Sequence, residues 1–410
     1  MPWSVRTRWR SAAVLLATFV ATPVLAQGKP RARDLGIPLP GTPGPRNAIT
    51  DVDGIEVGHA TLISGNGRRE RGKGPVRTGV TAVFPRGKRS PDPVFAGFFS
   101  LNGNGEMTGI HWVAESGFLW GPVMITNTMS VGVVRDAAIA AMVRWGWDAF
   151  AVSLPVVAET WDGTLNDIEG MHVGPADVAR AIENASAGAV AEGSVGGGTG
   201  MICHRFKGGI GTSSRKLPSE AGGYTVGVLV QCNYGRRTRL SVLGAPVGRD
   251  IPDLLPCTTL TPEGAERLPA CERKGALAPG GLSDGDGGGS IIIVIATDAP
   301  LLPHQLDRLA RRAALGVGRM GGLGEDSSGD LFLALSTANP RAATDTGTVR
   351  LTMLPNDRIN PLFEATVDAT EEAILNALLA ADTMTGADGN RVYGLPADRL
   401  VAILKKYGRM

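Results

Sequence analysis

The chain has 410 residues, with 41 Lys and Arg against 39 Asp and Glu, 43% hydrophobic and 20% charged residues. This is ordinary globular chemistry except for 57 glycines, about twice the usual ~7%; no Gly-X-Y period accompanies them, which excludes collagen, and regularly placed Val, Ile and Leu exclude a disordered chain. A formal charge of +2, with no basic stretch interleaved with aromatics, leaves no electrostatic footprint for DNA or RNA.

In chain order, Arg6, Arg8 and Arg10 precede an apolar stretch over 12–20, and Val24-Leu25-Ala26 stands before Gln27. Residues 1–26 have the pattern of an export signal, too short for a stable membrane span, and no later apolar run approaches ~20 residues. Its removal deletes three arginines and no acid. The mature protein is therefore expected to be periplasmic or secreted, free of the membrane, where disulfides are permitted. Residues 27–47, rich in Pro, Gly and Arg, read as an extended arm, and 48–410 as one domain.

Within that domain, β-type runs alternate with amphipathic helices. Strands are predicted at 80–84, 123–126, 150–157, 225–230, 291–296, 331–335 and 348–354, and helices at 135–145, 175–187, 303–316, 368–382 and 396–406. Pro175 suits a first helical position, and Asp368 with Glu371 resembles a capping box. The strand runs are mostly continuous rather than alternating, so both faces of the sheets are covered, and a layered α/β sandwich follows. Residues 244–289 break the rhythm and read as a long surface loop, of a length that usually has a function.

That loop holds Cys257 and Cys271. Their pairing would enclose about 15 residues, for which chain entropy gives roughly 3 kcal/mol, and we expect this bridge. Cys203 and Cys232 adjoin apolar runs and read as buried thiols, with a Cys203–Cys232 bridge as the alternative if their strands are neighbours. Neither the cysteines nor the five histidines show metal-ligand spacing, so no metal or other cofactor is expected. Gly196-Gly197-Gly198-Thr199-Gly200 lacks the Lys-Ser/Thr ending of a phosphate loop and is read as close backbone packing.

The chemistry concentrates at Gly287-Gly288-Gly289-Ser290, where a glycine run enters the strand at 291–296. Glycines let the peptide adopt conformations that other residues resist, so the Ser290 hydroxyl can reach the carbonyl before it. Cleavage there through an N→O acyl shift would make Ser290 an N-terminus. A free α-amine titrates near 7.7–8.0 and can take the proton of its own hydroxyl, so one residue would supply nucleophile and base. The bland alternative is a flexible loop that happens to end at a strand, and a calcium-binding Asp-Gly loop lacks its nonapeptide repeat.

Several long strings decide between these. Ile49-Thr50-Asp51-Val52-Asp53-Gly54-Ile55-Glu56-Val57-Gly58-His59, Arg77-Thr78-Gly79-Val80-Thr81, Leu101-Asn102-Gly103-Asn104-Gly105-Glu106, Glu159-Thr160-Trp161-Asp162-Gly163, Val230-Gln231-Cys232-Asn233-Tyr234-Gly235 and residues 290–300 resemble the L-aminopeptidase/D-esterase and β-peptidyl aminopeptidase family over most of the mature chain. The resemblance implies a four-layer α-β-β-α sandwich like that of N-terminal-nucleophile hydrolases, with the connectivity shared with ornithine acetyltransferases. It also implies self-cleavage between Gly289 and Ser290 into 27–289 and 290–410, assembly as a homo-oligomer (a tetramer of two-chain protomers), and removal of N-terminal residues, including β-amino ones in some members, from short peptides, amides or esters.

Residue by residue, the resemblance makes Ser290 the nucleophile, Asn233 an oxyanion donor and Glu159 the carboxylate for the substrate ammonium. Ser328 and Asp330 fall where the family has a Ser-Gly-acid pair; two residues apart on an extended segment they share a face, from which both can reach the nucleophile or its amine. Asp330 stands where some relatives carry Glu, one methylene longer. Trp161 stands where some have Tyr; indole has no phenolic O–H, so stacking against substrate is its expected role. The competing functions are acyl transfer of ornithine acetyltransferase type, which the serine and the export signal disfavour, and a non-catalytic periplasmic binding protein with the glycine loop as hinge.

Overall fold

Each of the central apolar runs serves two layers at once. In β12 (Ser290–Thr297), Ile291, Ile293 and Ile295 enter one core cluster and Ile292, Val294 and Ala296 another. In β13 (Leu331–Ser336), Phe332 and Ala334 likewise face opposite to Leu331, Leu333 and Leu335. Successive strand residues point to opposite faces, so a run with no polar alternation is one whose two faces are both covered.

The computed structural model describes residues 29–261, 268–271, 289–344 and 347–410, with Met1 and Trp3. The rest of the expected export signal, its cleavage point and residues 262–267 and 272–288 of the expected long loop lie outside the described residues. One sheet orders β1 (Glu56–Ser64), β2 (Val76–Phe84), β5 (Val123–Asn127) and β6 (Val156–Thr160). The other orders β4 (Phe118–Leu119), β3 (Val94–Ser100), β13, β12, β10 (Thr225–Asn233) and β9 (Gly209–Lys216). β12 runs antiparallel to β10 and parallel to β13. Two small sheets pair β7 (Ile202–Cys203) with β8 (Phe206–Lys207), and β11 (Cys257–Thr258) with β15 (Asn390–Val392) and β14 (Met384–Thr385).

Helices close the outer faces. The short α1 (Ile110–Ser116) packs against β3 and β4 and buries Val113 between the sheets, while α2 (Val131–Arg144) and α3 (Pro175–Glu183) cover the first sheet, where Val134, Met142 and Ile182 meet Val80, Met124 and Val157. After the short α4 (Val247–Asp250), α5 (Pro303–Arg319) and α6 (Asn360–Ala380) cover the second, and α7 (Ala397–Lys406) adds Leu400 and Leu404 to the same outer core. Between the sheets lie Ile125, Ala158, Leu229, Val294 and Leu333. The order of layers is α-β-β-α, as expected.

Several expectations need correcting. The strand expected over 150–157 begins at Val156, because Asp148 accepts from the N–H groups of Phe150 and Ala151 and holds a turn. No strand forms over 348–354: Thr352 exchanges both backbone hydrogen bonds with the Asn339 side chain instead of a neighbouring strand. Helix α6 starts at Asn360 rather than 368, with Pro361 in its first turn, where the missing N–H costs nothing. Asp368 and Glu371 are not caps there; both pair with Arg319.

Residues 29–47, the described part of the expected extended arm, form no helix or strand and are docked on the domain. Ala32, Ile37 and Leu39 are buried, Arg31 pairs with Glu192 at 2.7 Å, and Arg33 with buried Glu372 at 2.9 Å. The reading of Cys203 and Cys232 as free thiols is also overturned, since the two are bridged, as are Cys257 and Cys271. The segment 196–198 is a buried turn wedged between the sheets. A Cβ on Gly197 would lie 2.3 Å from Gln231 Oε1, and one on Gly198 2.5 Å from the Ile210 nitrogen.

Candidate active site

Antiparallel pairing of β10 with β12 sets Asn233 directly opposite Ser290, at the ends of both strands. Each residue shares the parity of the side chains that face the first sheet, so both look into the gap between the sheets where it opens. The opening is a cleft of about 400 Å³, whose lining includes Ser290, Asn233, Glu159, Trp161, Asn104 and Arg205.

Gly289 lies where any Cβ would be 2.0 Å from the Asn233 carbonyl oxygen. Sequence reasoning valued this glycine for its conformational freedom; what the fold requires of it is the absence of a side chain, so that the Gly289–Ser290 peptide lies against β10. The Ser290 Oγ accepts a 3.0 Å hydrogen bond from the Gly329 N–H, and Ser290 is buried. Gly329 is equally constrained, because a Cβ there would sit 2.5 Å from the Asn104 carbonyl.

Among the described residues, neither Ser328 nor Asp330 bonds to the Ser290 Oγ. Ser328 Oγ donates to Asp330 Oδ1 at 2.6 Å, and the same oxygen accepts from the Ile291 N–H at 3.2 Å. The other carboxylate oxygen accepts from Asn102 Nδ2 at 3.0 Å, while the Asp330 N–H donates to Asn102 Oδ1 at 2.6 Å. The shorter acid thus reaches the backbone beside Ser290 and fixes the Ser-Gly-Asp turn that presents the Gly329 N–H. Burial raises the Asp330 pKa from its ordinary value, against hydrogen bonds from Ser328 and Asn102 that lower it.

Asn233 is clamped at both ends of its amide. Its Oδ1 accepts from the Ile202 N–H at 2.7 Å, which fixes the flip, and its Nδ2 donates to the Trp161 carbonyl at 2.9 Å. An amide nitrogen carries two donors, so one N–H remains for the cleft. Glu159 is buried at the end of β6, accepting from the Glu106 N–H at 2.9 Å and from Thr128 Oγ1. Burial is the leading influence on its pKa and raises it; the two hydrogen bonds oppose that and favour the charged form. The Trp161 indole is half-exposed and lies over Gly163, where a Cβ would come within 2.6 Å of the ring.

Sequence reasoning missed Gly329, Asn102, Thr128 and Arg205. Asn102 lies inside a string that carries the resemblance and Gly329 between Ser328 and Asp330, but the bond from Asn102 to Asp330 spans 228 residues, which no local spacing reveals.

A serine lining a cleft, an amide donor opposite it and a buried carboxylate are the features against which likeness to known proteins is set. The model of peptidase family S58 matches residues 47–392. The chain belongs to peptidase family S58. Over 401 residues this S58 chain is 54% identical to beta-peptidyl aminopeptidase BapA of Sphingosinicella microcystinivorans, covering 97% of each. Among solved structures it is similar to a Burkholderia sp. beta-aminopeptidase (47% identity, 92% of this chain and 99% of that one, TM-score 0.78). It is also similar to the L-aminopeptidase D-Ala-esterase/amidase of Ochrobactrum anthropi, described as a new variant among the Ntn hydrolase fold (42% identity, 93% and 99% coverage, TM-score 0.80). This S58 protein is therefore a hydrolase, an aminopeptidase with an Ntn-type α/β fold.

Proposed function

We propose that the chain is an exported, self-processing serine aminopeptidase that releases N-terminal residues, β-amino residues included, from short peptides, amides or esters. The observation that carries this reading is the convergence of Ser290, Asn233 and Glu159 on one cleft, with the Gly289–Ser290 peptide packed beside the Asn233 backbone. In maturation, Ser290 Oγ attacks the Gly289 carbonyl carbon, the C–N bond breaks as an ester forms, and water hydrolyses the ester. The freed α-amine then accepts the Oγ proton while Oγ attacks the substrate carbonyl, and it returns that proton to the leaving amine. The spare Asn233 N–H faces the developing oxyanion. Water releases the acyl group in the second step.

Glu159 gives the exopeptidase character, since a carboxylate in a partly dry cleft distinguishes a free ammonium from a mid-chain amide. Peptides with a free amino terminus are expected to be cleaved and their N-acetyl versions not. Glu159→Gln is expected to lower kcat/KM more than tenfold, about 1.4 kcal/mol. Equal turnover of free and blocked peptides in steady-state assays would remove Glu159 from this role. Because nucleophile, base and oxyanion donor are all protein groups in this scheme, EDTA is expected to leave the rate of processed enzyme unchanged; loss of activity that zinc restores would overturn the serine assignment. Homo-oligomer formation belongs to the same reading, and the exposed Val349, Leu351 and Met353, alternating along an extended segment, form an apolar edge that a second copy would cover. No observation favours acyl transfer to ornithine or a non-catalytic binding role.

A further inference from the structure

The β7–β8 hairpin turns through His204 and Arg205, whose φ angles are +48° and +58°. Two successive left-handed residues make the turn that normally selects Asn and Gly; an arginine there is an outlier that the surroundings must hold in place. They do so from several sides. The His204 N–H donates to the Tyr234 carbonyl at 2.7 Å, and Arg237 donates from Nε to the His204 carbonyl at 3.1 Å and from Nη2 to the Arg205 carbonyl at 2.7 Å. The Arg237 guanidinium lies 3.3 Å from the Phe206 ring centre, and the Cys203–Cys232 bridge ties the hairpin to the residue next to Asn233.

All this order is spent on the backbone. The Arg205 guanidinium, half-buried in the wall of the cleft, has no hydrogen bond or ion pair among the described residues. The other arginine of the wall, Arg236, is neutralised by Glu325 at 2.7 Å. Among the described residues the cleft therefore carries one buried anion, Glu159, and one unpaired cation. A ligand that satisfies both is a zwitterion of a size suited to about 400 Å³.

We propose that Arg205 binds the free α-carboxylate of the departing residue, so that the enzyme selects short peptides with an unblocked C-terminus over their amides. This rests on the aminopeptidase mechanism above, with Glu159 holding the ammonium at the opposite end of the substrate. A planar guanidinium held by a fixed backbone presents two parallel N–H groups to a carboxylate, while a primary amide offers one neutral acceptor.

The test compares a dipeptide with the same dipeptide amidated at its C-terminus, together with a p-nitroanilide as a general activity probe. Wild-type enzyme is expected to show a kcat/KM for the acid at least tenfold above that for the amide, chiefly through KM. Arg205→Gln is expected to reduce that acid-to-amide ratio at least tenfold, and Arg205→Lys to retain part of it. Equal kcat/KM for acid and amide in wild type, or a ratio unchanged by Arg205→Gln, overturns the proposal. Should Arg205→Gln fail to fold or process, Arg205→Lys and the wild-type protein suffice: the wild-type acid-to-amide ratio is expected to be at least ten and to be only partly retained in Arg205→Lys, and a wild-type ratio of one overturns the proposal. If no substrate is hydrolysed, the p-nitroanilide included, it is the aminopeptidase mechanism that fails, and calorimetry of the unhydrolysed dipeptide against its C-terminal amide reads the carboxylate site, equal affinity overturning the proposal.

Discussion

Ser290→Ala is expected to remain a single chain on long incubation, while the wild-type protein resolves into two pieces, the smaller beginning at Ser290. Hydrolysis by the variant is expected to fall by a factor on the order of 10⁴ or more, since in this mechanism one residue supplies both the attacking oxygen and, once freed, the amine that takes its proton. The loss is chemical rather than structural. Alanine fits the buried position at the head of β12, and the Oγ makes one side-chain hydrogen bond, accepted from Gly329, whose removal costs on the order of 1–3 kcal/mol. Intact mass spectrometry reads the outcome. N-terminal sequencing that begins at any other residue, or cleavage of the alanine variant at the same place, would refute the assignment.

Asn233→Ala is expected to lower kcat by ~10²–10³, with KM changed much less, because a donor aimed at a developing alkoxide acts mainly in the transition state. The proposed self-cleavage would pass through a similar oxyanion and is expected to slow as well. The same amide also holds the Ile202 N–H and the Trp161 carbonyl, so thermal unfolding must accompany the kinetics. A variant whose KM rises while kcat holds would show that Asn233 positions the cleft wall and does not touch the reacting oxygen.

The two-sided cover of the sheets was legible because Ile291 to Ala296 has no polar alternation, and Ser290 stood out as the candidate nucleophile because glycines and a serine abut that run. What single-chain reading could not reach was whatever depends on distant partners. The role of Asp330 is fixed by Asn102, and the boundary of β6 by an Asp148 turn that the apolar run over 150–157 concealed. Cys203 and Cys232 looked like core thiols because the segments carrying them are apolar; their bridge exists because the hairpin folds back onto β10, a contact without local signature. The Arg205 turn defies its own propensity, which is why pattern reading passed over it.

The order of strands in the second sheet has a consequence for how the molecule can be made at all. β12 and β13 lie between β3 on one side and β10 on the other, so a chain beginning at Ser290 would form the middle of a sheet whose flanks belong to the preceding piece. Both disulfides join cysteines upstream of Ser290, so neither would fasten the pieces together. Under the proposed cleavage, folding of the precursor is a first-order event, whereas the mature enzyme, once denatured, must recover through a second-order encounter of two half-sheets with exposed edges. Refolding yield should then depend on concentration for mature enzyme and not for the uncleaved Ser290→Ala chain, so that the enzyme is assembled once and its durability becomes a matter of unfolding rate.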